Sequence, residues 1–235
     1  MFPNIKKSLQ DYRNEINVIK QRSSIVSDHM LYNLSLDGTD FESEVGNALE
    51  CMKVSGRSGR IELILGPMYS GKSSEMLSRV KTHSYSRKTC VIVKYEHDTR
   101  YSTKFSTHDE ITCDAIPSSK NLMSVIKKCV IHDVVAVDEG QFYDDLVLFC
   151  ETLANLGIIV IVSALDGDFK RENFGHIYEL IPKCESIIKK TASCECGNEA
   201  VFTHRMVDSA DVELIGGMDK YESLCRLCFN LKNSH

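Results

Sequence analysis

The octapeptide GPMYSGKS, Gly66 to Ser73, follows the apolar run IELIL directly and precedes a stretch of helical character. No other feature constrains the chain as much. It fits G-x-x-x-x-G-K-[ST], and each residue type has a physical reason. Gly66 and Gly71 let the backbone curl without a Cβ clash, so successive N–H groups face one anion. Pro67 stands where no N–H is needed, and Met68, Tyr69 and Ser70 complete the curl. A helix beginning near Lys72 turns the positive end of its dipole to the same anion. Lys72 adds a cation for β- and γ-phosphates, and Ser73 offers a hydroxyl to Mg²⁺.

The fold class follows from the runs after Ile61. IELIL, TCVIVK, DVVAVDE and IIVIVSAL are apolar without alternation, as strands covered on both faces require. SSEMLSRVKTH, NLMSVIKKCV and DLVLFCETLANLG separate them with helical patterning. The expected fold is α/β, a P-loop NTPase-type parallel sheet covered by helices, with a small appendage at the end. DVVAVDEG places Asp138 at the carboxyl edge of that sheet, where it can hold Mg²⁺, and Glu139 beside it as a second carboxylate.

Composition narrows the function. The 235 residues suffice for one generous domain, or a domain plus an appendage. A net charge of -5 argues against a nucleic-acid partner held by a broad basic face. No run approaches about 18 apolar residues, so no membrane span is expected. The chain has ten cysteines, and Met1 to Lys20 reads as charged rather than as a secretory signal. Cys90, Cys129, Cys150 and Cys184 read as buried reduced thiols, whereas Cys194, Cys196, Cys225 and Cys228 read as a metal site. Together these imply a reducing, cytoplasmic setting.

Three segments are expected: an extension over residues 1–59, an α/β phosphate-loop core over 60–190 and a zinc-binding segment over 191–235. In the extension, Ile5, Leu9, Tyr12, Ile16 and Ile19 fit one amphipathic helix, residues 36–50 are acidic and turn-rich, and VSGRSGR reads as a hinge. A mitochondrial presequence is the sharper reading of that helix, but Asp11 and Glu15 lie on it.

From Ile61 to Phe229 the chain resembles the type II thymidine kinases, the cellular and poxviral family with a phosphate loop and a zinc-bearing lasso. The resemblance rests on GPMYSGKS, KYEHDTRY with the later THD, DEGQF, ALDGDFKRENFG and ELIGGMDKYESLCRLC, in that order. It implies that the thymidine 5′-hydroxyl attacks the γ-phosphate of ATP with Glu139 as general base. It further implies an ATP and Mg²⁺ site of Gly66 to Ser73, Asp98, Thr99, Arg100, Asp138 and Gln141. Phe169 would contact the base, with Phe142 and Phe174 walling the pocket. Val212, Glu213, Leu214, Ile215, Gly216 and Tyr221 would close over it, the segment reading the base edge largely through backbone groups. Met68, Leu165, Thr203 and Tyr221 would surround the thymine methyl. The family also implies some use of deoxyuridine, feedback inhibition by deoxythymidine triphosphate, and a homotetramer.

One departure stands out. Cys225-x-x-Cys228 is a sound zinc half-site, but the family's second Cys-x-x-Cys is here Cys194-x-Cys196, one residue short. All four cysteines are expected to ligate a structural Zn²⁺, with His204 and Cys184 as the nearby substitutes. Two rival readings remain at this level: an ATPase acting on DNA, and a zinc-ribbon binding module with a dead nucleotide site. The acidic balance opposes the first, and intact Lys72, Ser73, Asp138 and Glu139 oppose the second.

Overall fold

Unalternating apolar strands are stable only between two covering layers. The computed structural model describes residues 59–96, 104–106, 112–207 and 216–233 and shows both layers. The readings placed on residues 1–58 lie outside the described residues. In chain order come β1 (Arg60–Leu65), α1 (Lys72–Tyr85), β2 (Cys90–Tyr95), β3 (Lys104–Ser106) and β4 (Thr112–Ser118). A 3₁₀ turn, Leu122–Val125, runs into α2 (Ile126–Cys129), followed by β5 (Val134–Val137) and a second 3₁₀ turn, Gly140–Phe142. Then follow α3 (Leu146–Asn155), β6 (Ile159–Ala164), α4 (Ile177–Leu180) and β7 (Ser186–Lys189). The C-terminal part holds β8 (Ala192–Ser193), β9 (Glu199–Ala200), β10 (Phe202–Arg205), β11 (Tyr221–Leu224) and α5 (Arg226–Lys232).

The main sheet has the order β3-β4-β2-β5-β6-β1-β7. Its pairs are parallel except β3 with β4, so six parallel strands carry one antiparallel strand at the edge. The four strands read from the sequence occupy the centre. β4 and β7 escaped that reading for local reasons. TCDAIPS contains Asp114 and Pro117, and SIIK is a short edge strand with mostly exposed side chains.

Each face has its own core. On one, Phe149 and Leu153 of α3 pack with Leu63, Val160 and Val162. On the other, Met76 and Val80 of α1, one turn apart, pack with Ile64, Ile92 and Ile161. The charge in β1, Glu62, is accommodated by Arg60 and Arg79, each 2.7 Å away. Burial alone would raise the Glu62 carboxyl, but the hydrogen bonds from Arg60 and Arg79 outweigh it and hold it below its usual value. NLMSVIKKCV forms two short helical pieces rather than one helix, and both carboxylate oxygens of Asp145 cap the first at Leu122 N and Met123 N, 2.8 Å each.

The cysteine reading holds for half of its residues. Cys129 and Cys150 are buried, and burial pushes the Cys129 thiol up to about 12 and Cys150 higher still. Cys90 and Cys184 are only half-buried, because they lie where a strand and a turn meet the surface. Among the described residues no helix is long and apolar enough to cross a membrane.

Ile161 is fully buried at the centre of the sheet. Ile161→Ala is expected to cost about 2–5 kcal/mol. Urea unfolding would read this as a lower midpoint at unchanged slope.

Candidate active site and thiol cluster

The six parallel strands end on one edge of the sheet, and the expected site residues leave from those ends. GPMYSGKS follows β1, Asp138 and Glu139 follow β5, Leu165 follows β6, and Tyr95 closes β2. Among the described residues Lys72 and Ser73 of the loop, Glu139, Leu165 and Tyr95 line a cavity of about 430 Å³, while Asp138 lies buried behind it.

The loop leaves β1 at Gly66, where a Cβ would stand 2.5 Å from the Lys190 carbonyl oxygen that exits β7. It enters α1 through Gly71 at φ 75°, in the left-handed region. Between them Tyr69, which is not glycine, also has φ 61°. The Pro67 carbonyl accepts hydrogen bonds from Ser70 Oγ at 2.8 Å and Lys72 Nζ at 2.7 Å. The lysine thus folds back on its own loop, lining the cavity. Met68 is fastened from outside: its N–H donates to Thr203 Oγ1 at 3.0 Å, and its carbonyl accepts from Ser223 Oγ at 2.5 Å.

Asp138 is 2% exposed. It accepts from Ser73 Oγ at 3.2 Å and from Glu139 N at 3.1 Å, and Ser163 of β6 donates to it as well. Burial, followed by the adjacent Glu139 charge, pushes its carboxyl up to about 6 despite these donors. The Ser73 hydroxyl and this carboxylate form an oxygen donor set that suits a hard cation such as Mg²⁺.

Glu139 lines the cavity in a left-handed conformation, φ 53° and ψ 45°. Such a backbone is costly for a residue with a side chain and clusters at functional sites. Gln141 Nε2 donates to Glu139 Oε2 at 2.6 Å, and Gln141 Oε1 accepts from Leu165 N at 3.0 Å. The Gln141 side chain, also on the cavity wall, thus bridges Glu139 and the backbone after β6.

Phe142, Phe169, Phe174, Leu165, Thr203, Gly216 and Tyr221 all line the cavity. Phe142 stacks on Tyr95 at 4.8 Å and meets Phe174 edge-on at 5.5 Å. The Arg205 guanidinium lies 3.8 Å from the Phe169 ring centre and donates to Tyr221 Oη at 3.0 Å. Asp98, Thr99, Arg100, Val212, Glu213, Leu214 and Ile215 lie outside the described residues.

Tyr95, Arg205 and Ser223 were missed by the sequence reading. Tyr95 had a usable signal, since it ends a strand at the carboxyl edge. Arg205 and Ser223 had none, because their partners come from antiparallel register: Arg205 opposite Tyr221 and Thr203 opposite Ser223.

The sulfurs of Cys194, Cys196, Cys225 and Cys228 lie within 4.8 Å of one another. Cys196 and Cys225 Sγ are 3.6 Å apart, against about 3.8 Å for thiolates set tetrahedrally around zinc. A tight turn, closed by Gly197 N donating to the Cys194 carbonyl at 2.9 Å, lets the shortened pair converge. The substitutes are engaged elsewhere: His204 with Glu222 at 2.9 Å, and Cys184 with the Ile181 carbonyl at 3.3 Å. Hydrogen bonds from Asn198 lower the Cys196 thiol to about 6, while those shared with Cys196 and Cys225 raise Cys228 to about 12. A four-sulfur set of this kind could hold a metal ion such as zinc.

The sequence profile described as "Thymidine kinase" matches residues 59–229. The chain is 49% identical over 177 residues to the cytosolic thymidine kinase of Homo sapiens, covering 75% of each chain. It is equally similar, 49% over 177 residues and 75% of each chain, to the cytosolic thymidine kinase of Cricetulus griseus. It is 45% identical over 172 residues to the thymidine kinase of Vaccinia virus (strain Western Reserve), covering 73% of this chain and 97% of the viral one.

Two outcomes are expected from this geometry. Asp138 has a folded pKa raised from 3.8 to about 6, so its contribution to stability is present below pH 4 and lost as pH rises through 6. Without added Mg²⁺, Asp138→Asn should therefore gain about 2–3 kcal/mol over the parent at pH 7.5 and nothing below pH 4. Urea unfolding of both proteins across that range measures it. Separately, Cys196→Ser should lower bound zinc from one equivalent per chain, counted by elemental analysis, and lower thermal stability with it.

Proposed function

The chain belongs to the thymidine kinase family, and from that premise we propose that it transfers the γ-phosphoryl group of ATP to the 5′-hydroxyl of thymidine, giving thymidine monophosphate. The observation that carries this reading is the placement of Glu139 on the cavity wall, beside Lys72 and Ser73 and fixed by Gln141.

In this mechanism Glu139 accepts the 5′-hydroxyl proton as the oxygen forms its bond to phosphorus and the bond to the ADP oxygen breaks. Lys72 exchanges its bond to the Pro67 carbonyl for the equatorial oxygens of the moving phosphoryl group. Ser73 and Asp138 would hold Mg²⁺, which supplies charge neutralisation at the β- and γ-phosphates. The loop N–H groups hold the triphosphate, and Asp98 and Arg100 would complete the nucleotide site.

Phe169, Phe142 and Phe174 offer flat apolar faces to the pyrimidine. Met68, Leu165, Thr203 and Tyr221 surround its methyl group. The Thr203 hydroxyl is spent on Met68 N, which leaves its methyl as the part that meets the base. One methyl group discriminates by only about 1–3 kcal/mol, so deoxyuridine is also a substrate. Residues 212–216 would close over the base with backbone groups, and deoxythymidine triphosphate would occupy the same site as a feedback inhibitor. We assign 60–190 to the kinase core and 191–235 to the zinc-held segment, in a cytoplasmic homotetramer.

Glu139→Gln should keep ATP affinity and lose about a hundred- to ten-thousandfold in turnover. Lys72→Ala should abolish movement of radiolabel from ATP to nucleoside. Near-parental thymidine phosphorylation by Glu139→Gln would remove the base assignment.

A further inference from the structure

The phosphate loop carries a cost that its own sequence does not offset. Tyr69, with a full side chain, sits at φ 61° between two glycines that adopt such angles freely. From inside, the loop is tied at the Pro67 carbonyl by Ser70 and Lys72. The Lys72 tie is one that ATP must break. From outside, the loop is tied at the next residue, Met68, immediately before the strained Tyr69. Both backbone polar groups of Met68 are taken, the N–H by Thr203 and the carbonyl by Ser223.

These two hydroxyls are neighbours by construction. Thr203 on β10 and Ser223 on β11 are directly paired in the antiparallel ladder, so one hairpin presents an acceptor and a donor side by side. Thr203 is 5% exposed and Ser223 7%, so water competes little for either bond. Behind Ser223, Leu224 and Cys225 are buried with Cys194, Ala200 and Phe229, so the strand bearing the hydroxyl is anchored in the thiol cluster.

We infer that Ser223, with Thr203, is a positioning residue for the phosphate loop: the cysteine-anchored hairpin holds the loop in its anion-binding curl and thereby sets nucleotide affinity independently of the nucleoside. A residue 155 positions from Met68 governs ATP binding without touching ATP. Without the clip, Met68 and Tyr69 relax toward unstrained angles, and binding must first rebuild the curl. The inference rests on the reading of this loop as the triphosphate site.

The test is equilibrium binding of Mg–ATP to the full-length, zinc-loaded chain by calorimetry, with no thymidine present. Ser223→Ala and Thr203→Val each remove one hydroxyl. Each should weaken ATP binding about fivefold to tenfold, with zinc content unchanged. Ser223→Thr and Thr203→Ser keep the hydroxyls and should bind ATP like the parent, although Thr203→Ser alters the nucleoside pocket. Parental ATP affinity in both hydroxyl-less variants would overturn the inference, as would equal weakening in the two hydroxyl-keeping ones. Thr203→Val conserves shape and decides the matter if Ser223→Ala loses its metal. Failure of the parent itself to bind Mg–ATP would sink the kinase reading rather than the clip alone.

Discussion

A parallel sheet delivers the last residue of every parallel strand to the same edge, and this molecule depends on that consequence. The phosphate loop, Asp138 and Glu139, Leu165 and Tyr95 belong to four strands, and no two of those strands are joined by a short hairpin. They meet only because β1, β2, β5 and β6 run the same way, and the helical cover on both faces keeps those strands buried.

The two adjacent carboxylates are made unequal by their surroundings. Asp138 is buried against β6 and disfavours its own charge, which makes it a site that a cation can relieve. Glu139 turns to the cavity through a left-handed backbone, where an amide held by the Leu165 N–H orients it. Adjacent in the chain, the two side chains thus have different surroundings, one buried behind the cavity and one on its wall. The difference comes from burial and from the sign of one φ angle, not from residue chemistry, since both side chains are carboxylates.

The C-terminal hairpins bring a second kind of order. Their core is small, with Cys194, Ala200, Leu224, Cys225 and Phe229 at its centre. A segment with so little apolar surface gains stability from a metal more readily than from packing. That stability is transmitted, because the hairpin bearing Thr203 and Ser223 grips Met68, and Arg205 from the same hairpin covers Phe169. The Met68 side and the Phe169 side of the cavity therefore share one support.

Much of this was legible in the sequence, and the division has a physical basis. Gly66 to Ser73, Asp138, Glu139 and the four cysteines announce themselves because the chemistry needs particular residue types at short, fixed spacings along the chain. The four central strands do so because two-sided burial demands unbroken apolar runs. β4 and β7 stayed hidden because Asp114 and Pro117 interrupt the one and the other is a short edge strand with mostly exposed side chains. The double clip on Met68, the hold of Gln141 on Glu139 and the convergence of the shortened cysteine pair appear only in the folded chain. Each depends on strand register or on a backbone angle, and those are settled by packing between segments that the linear order keeps apart.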